Sequence, residues 1–525
     1  MRNLLKIIGI SVEQNGKSLA YGLALSVLVL LASFALAQGC ASVGPDYEPP
    51  ELDLPASYDV TPSSNDRAGA DSDGSEPSEG VKADDEAPAT TPDLAAWWLR
   101  FGDPVLRDLV ERALGGNLDL AAALARLEQA RSLTAAEISG RYPTLDATGS
   151  ATRASSSENA ASSSAGVTLE TYALGLEAGW ELDLWGRVRR TIESARGDLA
   201  AAAEDARGVL VSVAGSVGRA YVDLRGFEAR LAIAEQNEKV QEQTLELVEA
   251  RYESGLISQL DVVQARASLD ETRATIPGLR RGVEGSRDRL AVLSGLPPGS
   301  LDAALGPTST VPVPPAELDV GAPAELLRRR PDVRAAERRL AAATARIGVA
   351  EAELYPQLRL TGAIGFEATS PGDLLSGDSV GFSFGPSLRW NLFDTGRLRA
   401  LVGFREAEAE ENLLSYRATV LEAIREVEGA LEALRSERQR LDALDSAAAD
   451  YRQALELSRV RYRNGLVGFQ TVLDAQRSLF AAEDALETSR IAIAATAVDL
   501  YRALGGGWDP DTPSTATPRV RATSE

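Results

Sequence analysis

A stretch of sequence that occurs twice, about 210 residues apart, constrains this chain more than any other feature. Arg251-Tyr252-Glu253-Ser254-Gly255-Leu256-Ile257 returns as Arg461-Tyr462-Arg463-Asn464-Gly465-Leu466-Val467. Asp261-Val262-Val263-Gln264-Ala265-Arg266 is set against Thr471-Val472-Leu473-Asp474-Ala475-Gln476. Upstream, Trp180 to Arg187 matches Trp390 to Arg397, and Tyr142-Pro143 matches Tyr355-Pro356. Solenoids repeat every 20–50 residues, so a period this long marks a duplicated half rather than an array element. The chain carries two copies of one design.

Within each copy the apolar period changes, and that change gives the architecture. Val188, Ile192, Ala195, Leu199, Ala202, Ala206, Val209, Val213, Ala220, Leu224, Phe227, Leu231 and Ala234 step by three and four, as a coiled-coil seam does. Leu413, Tyr416, Val420, Ala423, Val427, Ala430, Leu434, Leu441, Leu444, Ala448, Tyr451 and Leu455 repeat the pattern. Each helix is expected to run from the Gly-Arg pair to the repeated Tyr, about 65 residues or about 100 Å. A plain coiled-coil rod would show the same seam. Between these helices the period drops to two. Val380, Phe382, Phe384, Pro386, Leu388, Trp390 and Leu392 alternate with small or polar residues, and Leu358 to Phe366 form a partner strand. Leu174 to Leu184 alternate likewise, beside a weaker strand from Leu145 onward, with Ser/Gly/Asp/Pro loops at 155–166 and 370–378. Apolar-out, polar-in strands of about ten residues mark a transmembrane barrel, with Trp180 and Trp390 suited to an interfacial belt. Two amphipathic hairpins packed on a soluble core remain the alternative. Four strands cannot close a barrel, so a membrane reading requires several chains.

Net charge is -23 without a basic block, so the cations that phosphate neutralisation requires are missing and nucleic acid is excluded as a partner. The chain has no histidine, which removes the usual general base and the commonest metal ligand. Its single cysteine, Cys40, permits no intrachain disulfide and no thiolate metal cluster. With these gaps neither a catalytic residue, a cofactor nor a metal site is expected. The string Gly16-Lys17-Ser18 lacks the leading Gly of a phosphate loop, which leaves an enzyme unsupported.

The position of Cys40 is informative. Arg2, Lys6 and Lys17 precede an apolar run from Leu19 to Leu36, which ends in Ala37-Gln38-Gly39-Cys40, the order of a secretory signal. Small residues before the Cys resemble the bacterial lipobox, in which that Cys is acylated and becomes the new N-terminus. Leu36 stands one place earlier than the usual Leu. An uncleaved membrane anchor is the alternative, since about 18 apolar residues nearly span a bilayer. Ala41 and Ser42, without an Asp, fit the pattern sent to the outer membrane. These signals divide the chain into a signal peptide (1–39), a lipidated segment (40–60), an acidic segment expected to be disordered (61–93), a first repeat (94–296), a connecting segment (297–322), a second repeat (323–506) and a disordered tail (507–525).

Taken with Cys40 to Tyr47, Trp97-Trp98, Phe101-Gly102-Asp103-Pro104, Arg329-Arg330-Pro331-Asp332-Val333, Ala336-Glu337 and Leu473 to Leu479, the sequence resembles the TolC-like outer-membrane factors, in their NodT-type lipoprotein branch. These motifs span most of residues 40–505. The resemblance implies a mixed α and β membrane protein. Each chain would give four strands to a trimeric twelve-strand outer-membrane β-barrel, continued by a periplasmic α-helical barrel. It also implies a lipid-anchored efflux duct without active site or cofactor, a homotrimer served by a periplasmic adaptor and an inner-membrane resistance–nodulation–division pump, and contact with outer-membrane lipid. A duct for type I secretion or for heavy metals is the neighbouring possibility, as is a pore-free periplasmic coiled coil tethered by its lipid.

By the same resemblance 254–260 and 464–470 form the periplasmic tip. Asp261 and Asp474 line its constriction, and Tyr252 and Tyr462 latch beside them. Rings of carboxylates repel one another and hold counter-cations. Each residue also has a plain structural reading: the tyrosines as coiled-coil knobs, the aspartates as helix N-terminal residues facing the dipole. Val467 stands where some relatives place an Arg, so a salt bridge there is not expected.

Overall fold

The computed structural model describes residues 42–52, 54–55, 58, 94–159, 166–306, 310–315 and 323–509. Cys40, the signal segment, the acidic segment 61–93 and the tail from 510 lie outside the described residues. The long elements follow the duplication. The first copy runs α1 (Pro104–Gly116), α2 (Leu118–Ser139), β1 (Thr144–Ser155), β2 (Thr168–Leu182), α3 (Arg187–Glu253) and α4 (Gln259–Leu293). After the short helices Asp302–Leu305 and Pro323–Arg329, the second copy gives α5 (Pro331–Ala352), β3 (Gln357–Ala368), β4 (Val380–Arg389), α6 (Arg397–Arg463) and α7 (Phe469–Ala503). Helices α3 and α6 are 67 residues each and α4 and α7 35 each, so the copies match in length.

Two compact units are present, and each draws on both copies. Among the described residues, one comprises 42–48, 131–198 and 339–412. The other comprises the described residues of 49–130, 199–338 and 413–509.

In the first unit the four strands form one antiparallel sheet in the order β1-β2-β3-β4. Its register keeps the period-two pattern in phase across the strands: Leu176 faces Ile364, and Ile364 faces Phe382. The opposite face pairs Gly175 with Gly365 and Gly365 with Gly381. Large side chains on the apolar face stand in the open, with Phe382 83% and Phe384 80% exposed. A soluble hairpin packed on a core would bury them, so the alternative of ordinary amphipathic hairpins fails here. Sequence reading carried β4 on to Leu392, but the strand ends at Arg389. Trp390 instead sends its indole N–H to the Leu354 carbonyl (3.1 Å), and Trp180 donates to the Arg141 carbonyl (3.0 Å). Both carbonyls immediately precede the Tyr-Pro pairs of the repeat, so one brace is built twice.

Each long helix starts on a carboxylate. Asp183 accepts from the Val188 and Arg189 amides, while Asp394 accepts from Gly396 and Leu398. Such caps satisfy amides that the first turn leaves orphaned. Asp394 aligns with Leu184, not Asp183, so the same cap is reached from neighbouring positions.

The second unit holds the main core. Trp97 is fully buried and stacks on Tyr501 at 5.4 Å and 14°, with Phe101 edge-on to Trp97 at 5.9 Å. Asp103 caps α1 through the Val105 amide and also accepts from the Tyr221 hydroxyl at 2.6 Å. That carboxylate and burial together hold the Tyr221 phenol above its usual range, desolvation being the larger cause. The Arg-Arg-Pro-Asp motif starts α5: Arg330 grips Asp332 with two nitrogens and bonds Glu426 (2.6 Å) and the Ala503 carbonyl (3.0 Å). Leu301, Leu305 and Val311 of the connecting segment are buried here as well.

Two expectations need correction. Gly507 and Trp508, assigned to the tail, are packed: the Gly507 amide donates to the Leu94 carbonyl, and Arg207 and Arg334 lie over the Trp508 ring. An aromatic surface between two guanidinium groups outweighs the polar composition around it. Tyr451, counted in the apolar seam, is 42% exposed, although Ala448 and Leu455 on either side of it are buried.

Removing Arg330 would leave the Ala503 carbonyl unbonded and return Glu426 and Asp332 to water that already reaches 36% and 49% of their side chains, a loss of about 1–3 kcal/mol. Arg330→Ala should therefore lower the stability of the purified full-length protein by that amount in chemical denaturation, whereas an exposed control such as Arg425→Ala should change it little.

Candidate functional site

The tip is built from two turns of one design. At the end of α3, Gly255 takes φ +72°, its amide bonding the Tyr252 carbonyl and that of Leu256 bonding Arg251. At the end of α6, Gly465 takes φ +72° with the matching bonds to Tyr462 and Arg461. This is the Schellman ending, which requires a left-handed residue that only glycine adopts without cost. The duplicated Tyr-x-x-Gly is thus a turn signature before it is anything else.

The two copies then diverge. Tyr462 is 5% exposed, sits 5.8 Å from the Phe469 ring, and carries the Arg251 guanidinium 4.6 Å above its own. Arg251 also donates to the Tyr462 carbonyl at 3.1 Å. Its hydroxyl is buried and makes no hydrogen bond. Burial chiefly raises the phenol above its ordinary value, with Arg251 opposing and Asp261 adding to the shift. Tyr252, at the equivalent place, is 43% exposed. One tyrosine is a knob in the cluster of Val248, Val262, Leu455, Phe469 and Leu473, while the other stands free on the surface.

The aspartates differ too. Asp261 closes a capping box: its carboxylate accepts from the Ser258 amide at 3.2 Å and the Ser258 hydroxyl at 3.3 Å. Asp474 lies beyond the first turn of α7, exposed, and accepts only from the Gln470 amide nitrogen at 2.7 Å. Asp261 therefore has a local structural job, and Asp474 has none in the fold. Residue 474 aligns with Gln264, so the copies do not present carboxylates at one height.

Above the tip lies a feature that the sequence reading missed. Arg266, Arg273, Arg280 and Arg287 of α4 occur every seventh residue, and Glu249, Glu242, Glu235 and Glu228 of α3 descend at the same spacing. They pair rung by rung, at 2.9 Å for Arg266–Glu249 and Arg280–Glu235 and 3.0 Å for Arg287–Glu228. Arg273 reaches both Glu242 and Glu238, and its hydrogen bonds to them, Glu238 first, raise its pKa. Between the rungs the seam mixes polar pairs, Gln241 meeting Ser268 and Asn237 meeting Thr272, with buried Ala265, Leu269 and Ile276. In the α6–α7 hairpin Arg452–Glu483 is the counterpart, with its charges exchanged, and the seam beneath is Ala448, Ala482 and Leu486. Heptad-spaced charges of opposite sign on two antiparallel helices were the available signal. Hairpins α3–α4 and α6–α7 are further joined by Arg230–Asp484, a two-pronged pair at 2.7 and 3.0 Å.

A cleft of about 660 Å³ lies between α3, α6 and α7. Its arginines 452, 459 and 490 are each paired with a glutamate of the same hairpin, so it offers no spare cation to a ligand. Among the described residues there is no cluster of His, Cys, Asp or Glu suited to a metal. Among them too, no helix is long and apolar enough to cross a membrane.

An open sheet with an exposed apolar face, joined to paired helices of 67 and 35 residues that end in matched turns, defines an outer-membrane efflux channel. The model of the outer membrane efflux protein family matches residues 109–296 and 322–506, one match per copy, and the chain belongs to that family. It is 34% identical to nodulation protein T of Rhizobium leguminosarum bv. trifolii across 90% of this chain and 96% of that one. It is 35% identical to the pyoverdine export outer membrane protein OpmQ of Pseudomonas putida, across 80% and 89%. Among solved structures, the outer-membrane channel OprN superposes with a TM-score of 0.78 at 36% identity, over 89% of this chain and all of that one. The open-state MtrE channel of Neisseria gonorrhoeae gives 0.73 at 27%, over 90% and 100%. The chain is therefore the outer-membrane component of a tripartite efflux system.

The ladder should make the α3–α4 hairpin sensitive to salt, because exposed pairs weaken as ions screen them. Replacing Arg273 and Arg280 with Gln should loosen that hairpin at low salt. Amide exchange of residues 235–285 should show the loss, and the difference should close at molar salt while the α6–α7 hairpin stays as before.

Proposed function

We propose that three copies of this chain close a twelve-strand barrel in the outer membrane, are anchored there by an acylated Cys40, and export small molecules handed on by an inner-membrane resistance–nodulation–division pump through a periplasmic adaptor. The observation that carries the trimer is the sheet itself. Strands β1 and β4 are edges, and among the described residues no strand lies beside their outward N–H and C=O groups. Hydrocarbon supplies no partner for such groups, so the edges must pair with other copies. Four strands per chain and a small closed barrel fit three copies. Relatives named for pyoverdine and for toluene efflux support a small-molecule cargo. In a planar bilayer the purified protein should conduct and run as a heat-modifiable trimer. A lipid-tethered coiled coil would give neither.

At the tip, Asp474 is the stronger candidate for the constriction and Tyr252 for a latch, because Asp261 and Tyr462 are committed to the hairpin's own structure. All four remain in the proposed gate. Asn is the appropriate replacement, since it keeps an acceptor for the Ser258 amide while removing the charge. Asp474→Asn should reduce cation selectivity and raise resting conductance, with a smaller effect from Asp261→Asn. If single-channel recordings show both variants identical to the parent, these carboxylates do not form the gate. Tyr462→Phe removes only an unbonded hydroxyl and should leave resting conductance unchanged. Because the Tyr462 pKa is raised in the folded state, the stability it contributes is present below the ordinary tyrosine range and lost as pH climbs through it. Alkaline unfolding of the tip should therefore shift to higher pH in the Phe variant.

A further inference from the structure

The segment directly after Cys40 is held in a slot that exists once per chain. The Val43 amide donates to the Trp185 carbonyl at 3.0 Å. Arg190, whose side chain is 3% exposed, reaches back to the same segment: Nε to the Val43 carbonyl (3.2 Å), Nη2 to the Gly44 carbonyl (3.0 Å) and to Asp46 (2.7 Å). Its remaining nitrogen binds Glu193 at 2.9 Å.

The walls are made of absent side chains. A Cβ on Gly348 of α5 would stand 2.7 Å from the Val43 carbonyl, one on Gly186 2.5 Å from the Ser42 Cβ, and one on Gly44 2.4 Å from the Gly348 Cα. Trp185, which lends its carbonyl, is itself fixed by stacking on Tyr355 at 4.7 Å and by its N–H on the Pro356 carbonyl.

Duplication makes the slot legible as a device. In the second copy Thr395 replaces Trp185 and Ala400 replaces Arg190, and a Cβ on Gly396 would meet nothing within 4 Å. The long helix starts equally well there, capped by Asp394, so neither Arg190 nor the tight fit at Gly186 is needed to begin it. What the first copy adds is a seat for Ser42–Asp46.

We propose that this seat is a docking site for the acylated N-terminus, which fixes the lipid anchor against the end of β2 so that the anchor and the barrel enter the membrane as one body. Cys40 is two residues from Ser42 and so within about 7–8 Å of it along the chain. Ser42 touches Gly186, four residues past the end of β2 at Leu182. An anchor so placed cannot act as a loose tether. The proposal rests on Cys40 being acylated, and its test reads acylation separately from docking.

The decisive variant is Gly348→Ala in the full-length protein. Alanine favours a helix interior over glycine, and the new Cβ would stand 2.7 Å from the Val43 carbonyl and 2.9 Å from the Arg190 side chain, so it disturbs both the arm and the guanidinium that holds it. Arg190→Ala removes the same contacts from the other side, and Arg190→Lys keeps the charge without the fork. Three quantities are measured for each: palmitate incorporation, amide exchange of Val43, and the fraction of outer-membrane protein in heat-resistant assemblies. Expected are unchanged palmitate label, Val43 exchange faster by tenfold or more in Gly348→Ala and Arg190→Ala with an intermediate value for Arg190→Lys, and a several-fold drop in assembled protein. Val43 protection that survives both substitutions would overturn the seat. Lost protection with undiminished assembly would overturn its role in insertion. Absence of palmitate from the parent chain would overturn the anchor role through the acylation reading, while exchange at Val43 would still report whether the seat is real.

Discussion

The outer edges of a four-stranded sheet set the terms for the rest of this protein. A sheet whose apolar face carries Phe382 and Phe384 in the open belongs in lipid, and lipid tolerates no unpaired backbone edge. The chain cannot meet that condition alone. Its small inner face, with Gly175, Gly365 and Gly381 in register, and its bulky outer face suit a wall that must curve into a closed cylinder. Oligomerisation is therefore a requirement of backbone hydrogen bonding, prior to any question of cargo.

Duplication solves the problem of material: one hairpin of strands and one hairpin of helices, made twice, supply four strands and four long helices. Yet equal backbones have been put to unequal uses. The α3–α4 hairpin is pinned in register by four arginine–glutamate rungs over a seam that includes two polar side-chain pairs, whereas α6–α7 packs alanine and leucine beneath Arg452–Glu483. Each exposed rung contributes little, but heptad spacing means that a slip of the helices breaks all of them together. At the tip Tyr462 is buried where Tyr252 is free, and at the other end of the helices Arg190 holds the N-terminal arm where Ala400 holds nothing. Pseudo-symmetry in the fold therefore coexists with distinct functions in the two halves.

Most of the fold was legible because its signals are periodic and local. Seams of three and four gave the long helices to within a few residues, and strict alternation gave the four strands. One error fell where contacts outweighed composition, Trp508 being held by two arginines in a segment that reads as tail, and another at a strand end, β4 stopping at Arg389 short of the alternating Trp390 and Leu392. The charge ladder was readable in principle, but its pairs lie 17 to 59 residues apart and require the antiparallel register of the hairpin before they can be matched.

By itself, the sequence determined that the chain is a doubled helix–strand unit whose strands carry an apolar face. Those properties follow from residue types and spacing, which act through the backbone's own periods. Only the tertiary structure decided which of two equivalent residues does which job. Asp261 became a helix cap and Asp474 did not, Tyr462 became a knob and Tyr252 did not, and three glycines with Arg190 became a seat for the arm. Each of these depends on what a distant segment places a few ångströms away, and no local pattern records that.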